Sequence, residues 1–149
     1  MAESYVEENE RSRQRLESLA ARLTAEDLAQ STDYGWSVGA LFAHLAWWDR
    51  RVLVLLRRWK ARGFEDSPID SEAVNDSLKP LCHGLEPSTA VRLCLAAAAE
   101  TDDEAADASP ELIEQIARSS THFRLNRAIH RNAHLDHIEA LLRSRPTVA

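Results

Sequence analysis

Between Gly35 and Gly63 the chain reads GWSVGALFAHLAWWDRRVLVLLRRWKARG, a proline-free stretch in which apolar residues return every three or four positions. A period near 3.6 sustained this long is helical, and no strand pattern interrupts it. Ser37 is a good N-cap and Gly63 a natural stop, so the spacing predicts a helix from Ser37 to about Arg62. Three more long helices are predicted. The first runs from about Ser4 to Leu23 on a stripe of Tyr5, Val6, Leu16, Leu19, Ala20 and Leu23, and a helical turn follows at TAEDLAQ, where Thr24 and Asp27 fit a capping box. The third opens at Ser88 or Thr89 and continues through the alanine run; Ser109 then caps a short segment with Pro110 at its first position. The last spans about Thr121 to Arg143, and Pro146 forbids its continuation. Gly63 to Pro87 reads as connection with at most a helical turn at Ser71–Leu78, and it is too long for a tight turn. Only 4 glycines and 5 prolines in 149 residues agree with this reading. The expected fold is all-α, a single four-helix-bundle domain over 1–149 with a long crossover between the second and third long helices.

Two of these helices carry histidines where leucines are usual. His130, His134 and His137 fall three, four and seven residues apart, on one face that Ile138 and Leu141 continue, while Asn132, Glu139 and Arg143 read as the solvent side. In the long helix His44 shares a stripe with Ala40, Leu41, Trp47, Trp48 and Leu55, and Arg51 projects from the same stripe seven residues on. Burying imidazoles costs free energy unless each nitrogen finds a partner. A His-x3-His pair plus a third imidazole from a facing helix would provide three nitrogen ligands for Zn²⁺, Ni²⁺ or Fe²⁺. Hydrogen-bonded core histidines are the alternative that spacing alone leaves open. His83 reads as a loop residue and His122 as lying near the last helix's start, while Asp49, Asn75 and Asp76 have no spacing that ties them to a metal.

Lys+Arg 18 against Asp+Glu 24 gives a net charge of −6, a poor match for nucleic acid. The longest uncharged run, Tyr34 to Trp48, is too short for a membrane span, and a terminus that begins MAESYVEENERSRQ reads as free of a signal peptide. Cys82 and Cys94 form no CxxC pair. The expectation is a cytoplasmic protein with reduced, buried thiols.

GWSVGALFAHLAWWDRR resembles the second-helix signature of the DinB/YfiT-like superfamily, with Trp36, Ser37 and His44 at the matching positions. HRNAHLDHIEALLR resembles that family's closing motif His-x-x-x-His-x-x-Gln-Ile as His130, His134, His137 and Ile138, so His137 stands where glutamine is usual. The resemblance implies a four-helix bundle with a divalent metal, zinc or nickel foremost, held by His44, His130 and His134. It also implies a homodimer, to which Phe42, Leu53 and Trp59 would lend exposed apolar surface. Characterised relatives include transferases that use bacillithiol or mycothiol, and the mycothiol-dependent maleylpyruvate isomerase carries a similar metal-binding domain. The function so implied is a metal-dependent, thiol-handling S-transferase acting on a small molecule, with a low-molecular-weight thiol as co-substrate. For His137 three roles stay open, an acid/base group, a partner behind the ligands or an alternative ligand, and Arg51 would pair with a carboxylate if its head turns inward. A hydrolase on the same site, or a non-catalytic binding bundle, is the alternative. One rise of 1.5 Å per residue puts His137 about 10 Å along the axis from His130, so a metal would be shared by His130 and His134 and not by all three.

Overall fold

The computed structural model describes residues 4–119 and 123–144. Among them are seven helices and no strand: α1 (Tyr5–Arg22), α2 (Ala25–Ala29), α3 (Val38–Arg62), α4 (Ser71–Gly84), α5 (Pro87–Ala106), α6 (Pro110–Ala117) and α7 (Ala128–Arg143). Local chemistry starts most of them. Ser4 with Glu7, and Thr24 with Asp27, form reciprocal capping boxes; Ser37 Oγ accepts from Ala40 N, and Ser109 Oγ from Leu112 N. Each such cap stabilises its helix by about 1 kcal/mol. Gly63 ends α3 at φ 89°, a left-handed value that strains any side chain.

The apolar stripes decide the packing. α3 packs on α5, α5 on α1, α1 on α7 and α7 on α3, while α4 lies against α3. Leu16, Leu19, Leu41, Phe42, Leu45, Leu135 and Ile138 anchor one end of the core; Val52, Leu55, Leu56, Trp59, Leu112 and Ile116 anchor the other. Phe42, Leu53 and Trp59 are therefore interior residues, with 0%, 0% and 3% of their surface exposed, and they offer no surface to a second copy.

Three boundaries differ from the sequence reading. The supposed connection contains a full helix, α4, even though Pro80 lies inside it and cannot donate its turn's hydrogen bond. Val74, Leu78 and Cys82 recur at helical spacing and pack onto the core, which outweighs the proline. α5 opens at Pro87, one of the residues best suited to a first helical position, rather than at Ser88 or Thr89. α7 opens at Ala128; residues 123–127 are not helical, and Thr121, His122 and Pro146 lie outside the described residues. Its first N–H groups are capped both locally and from elsewhere in the chain: Asn126 Oδ1 accepts from Ala128 N at 3.0 Å, and Asn9 Oδ1 of α1 accepts from Arg127 N at 2.6 Å and Ala128 N at 3.2 Å.

Candidate metal centre and its cavity

α3 brings His44, and α7 brings His130 and His134, to one place. The ring centroids form a near-equilateral triangle of 5.0, 4.9 and 4.9 Å. His44 Nε2 stands 3.0 Å from His130 Nε2, and one nitrogen of each ring lies within 4.8 Å of the other two. His44 is buried and the other two are half-buried. Burial, and then the neighbouring histidine, lower the pKa of His44 to about 4 and of His134 to about 4. Burial first, then His134, His44, Arg127 and Arg131, push His130 down to about 2. All three rings are therefore neutral at pH 7, with lone pairs available.

The donor set fits a divalent metal. His44 Nδ1 and His134 Nδ1 are buried with no hydrogen-bond partner, an arrangement that costs about 1–3 kcal/mol per group when nothing compensates it. The nitrogens that face one another are His44 Nε2 and His130 Nε2, 3.0 Å apart, and a cation seated among the three rings would take the place of that contact. Three neutral imidazoles suit Zn²⁺, Ni²⁺ or Fe²⁺ and do not choose among them.

A cavity of about 480 Å³ opens over the triangle. Trp36 and Trp48 wall it, with ring centroids 5.3 and 6.4 Å from that of His44. Trp48 is held by Asn75 of α4, whose Oδ1 accepts from the indole at 3.0 Å. Trp36 and Tyr34 are placed by a tight loop. Thr32 N donates to Trp36 O at 2.8 Å, Val38 N donates to Gln30 O at 2.9 Å, and Gly35 turns the chain at φ 82°. His83, expected in a loop, sits in the last turn of α4 and braces this loop. Its Nδ1 donates to Lys79 O at 2.7 Å, so its Nε2 is the acceptor for Ser37 N at 3.1 Å.

Next to the histidines, on the same helix, lies a second buried polar cluster. Arg131 is fully buried and donates to Asp102 at 2.7 and 2.9 Å, to Asp49 at 3.1 Å, to Ser12 Oγ at 3.2 Å and to Asn9 O at 3.2 Å. Arg127 Nε donates to Asp49 Oδ1 at 2.9 Å, and Arg13 Nε to Asp102 Oδ2 at 3.3 Å. Burial alone would lower the Arg131 pKa, but Asp49 and Asp102 reverse this and raise it. This network ties α7 to α1, α3 and α5, and so sets the angle at which His130 and His134 meet His44.

The predicted site residues are thus sorted by the fold. His44, His130 and His134 converge. His137 is exposed and outside the triangle, its Nδ1 3.4 Å from Tyr34 Oη. Arg51 lines the cavity and donates to Ser67 O at 2.8 Å; burial and then the charge of Arg127 lower its pKa. Trp47 faces away from this cavity, into a groove with Leu78, Leu81 and Leu93. The side of α7 expected to face solvent faces α1 in part, since Asn132 and Glu139 accept or pair with Arg15. Its most buried stripe is Ala128, Arg131, Leu135 and Ile138, one step around from the histidines. Sequence reasoning passed over Arg131, Asn9 and Arg124 and left Asp49 unassigned. The available signal was an aspartate directly after the longest uncharged run of the chain, and an Arg127/Arg131 pair at i, i+4 at the start of the helix facing it.

A family model described as the DinB superfamily matches residues 8–141, a span holding all three histidines and the whole of the buried ionic network. No curated protein and no solved structure matches the chain.

Proposed function

The chain belongs to the DinB superfamily, and from that premise and the site's geometry we propose a metal-dependent enzyme of the thiol S-transferase type. The observation that carries this reading is the convergence of three neutral imidazoles on the wall of an open cavity. Among the described residues, no other His, Cys, Asp or Glu joins them in a ligand cluster. A structural metal is usually closed off by a fourth protein ligand, whereas a catalytic one keeps a position for substrate.

His44, His130 and His134 would hold the metal, and being neutral they have no protons to release first. When bound, a divalent cation lowers the pKa of a thiol so that the thiolate persists near neutral pH. Trp36 and Trp48 keep water from the reacting sulfur and offer an apolar face to the electrophile. Arg51 orients a carboxylate of the thiol or its partner. His137, in contact with Tyr34 at the cavity wall, exchanges the released proton with solvent. The proposal includes a homodimer, a cytoplasmic location, and a four-helix bundle of α1, α3, α5 and α7 with residues 63–86 as its crossover.

The test is metal analysis of purified protein. Loaded protein is then incubated with bacillithiol, mycothiol, glutathione or cysteine and a model electrophile, and the conjugate is read by mass spectrometry. Conjugate that needs both the metal and one of the thiols is the expected result. Turnover of an ester with no thiol present would instead make the protein a hydrolase. No turnover of either kind would leave the binding bundle.

A further inference from the structure

The cavity over the histidines is uneven in charge. The described residues that line it include Arg51, Arg124 and Arg127 and no Asp or Glu, in a chain whose net charge is −6. The arginines also keep to one end. Along α3, His44 comes first and Arg51 seven residues later, about 10 Å further along the axis. Along α7 the order is reversed. Arg127 precedes His130 and His134, and Asp49 of α3 meets Arg127 while His44 meets His130. The two helices therefore run antiparallel on this wall, with histidines at one end and arginines at the other. Leu41, Trp48 and Val52 give the cavity its apolar surface.

We infer that the arginine end is an anion subsite, and that the cavity takes an elongated ligand carrying an oxyanion head group, carboxylate or phosphate. Three observations support it. Arg127, which lines the cavity, shares its partner Asp49 with the fully buried Arg131, so that one carboxylate faces two guanidinium groups. Burial and Arg127 both lower the Arg51 pKa, the response of a cation held beside another cation. The positive end of the α7 dipole opens on the same region, because Arg127, Ile129 and His130 all line the cavity. Arginine's planar fork suits both carboxylate and phosphate oxygens. The anion end stands without a metal; only the placement of the ligand's far end at the histidines rests on the proposed metal centre.

The experiment is calorimetric titration of metal-free and zinc-loaded protein with mercaptohexanoate, mercaptohexyl phosphate and mercaptohexanol. Wild type is compared with Arg51→Gln and with Arg124→Gln, the latter an exposed side chain whose loss spares the fold. At least one anion is expected to bind about tenfold more tightly than the alcohol, in both forms of the protein. Each substitution should erode that preference and leave the alcohol's affinity unchanged. The anion with the larger gain names the head group. A gain for neither anion, or a gain that survives both substitutions, overturns the subsite. If zinc adds nothing to any of the three thiols while the anion preference persists, the metal reading fails and the subsite stands.

Discussion

Two buried polar clusters sit side by side on α7, anchored one residue apart by His130 and Arg131, and they differ in whether their polar atoms are paired. Every nitrogen of the Arg131 guanidinium has an acceptor, and those acceptors come from α1, α3 and α5. The histidines beside it keep two buried nitrogens without a partner and open onto a cavity. A buried charge network that is fully satisfied holds helices in register, and removing one member strands the rest. A cluster left unsatisfied loses stability for as long as nothing binds it. One is architecture and the other is a site, and burial alone would not tell them apart.

The comparison can be broken most directly at His134. His134→Ala should abolish metal binding, read by metal content after dialysis against a trace of zinc. It should change metal-free stability by less than about 1 kcal/mol, since the ring's Nδ1 has no bond to lose. If stability fell as it would for a core residue, the histidines would be architecture too.

Arg131→Met is the converse. It leaves Asp49 and Asp102 with one fewer partner in the core, and should cost about 3–5 kcal/mol in urea unfolding. A loss below about 1 kcal/mol would show that the network is dispensable.

Acid should separate the clusters in the metal-free protein. The folded pKa values of His44 and His134 are depressed to about 4, below the ordinary 6.5. The unfolded chain therefore binds more protons in that window. The histidine contribution is fully present above pH 6.5 and is lost as pH falls toward 4. One such group amounts to roughly 2 kcal/mol at pH 5. His44→Ala should flatten the stability profile between pH 6.5 and 4, measured by thermal melts across the range.

His137→Gln is expected to have the smallest effect, because that ring is exposed and outside the triangle. Metal content and melting temperature should stay at wild-type values, while the pH profile of any turnover shifts. Metal loss equal to that of His134→Ala would make His137 a ligand and remove the open position.

Much of this was legible along the chain. The 3.6 period located α1, α3 and α5, and it put His44 on one helix and His130 and His134 together on another. The caps at Ser37, Thr24 and Ser109 are contacts within three residues, so local pattern finds them. α4 was less legible, because Pro80 is a strong local signal against helix and the packing of Leu78 and Cys82 that overrides it is not local. The start of α7 was hidden in part for the same reason, since Asn9, more than a hundred residues upstream, joins Asn126 in capping it.

By itself the sequence determined that the chain is helical, where its long helices lie, and which imidazoles share a face, because these follow from hydrogen bonds and spacings within a few residues. Only the tertiary structure decided which face of α7 is innermost and where the charges go. In a local pattern Arg131 is a polar residue that belongs in water. It is buried because Asp49 and Asp102, from two other helices, converge on it and repay its desolvation. That rotation of α7 moves the histidines off the packed stripe and onto the cavity wall, where they face His44.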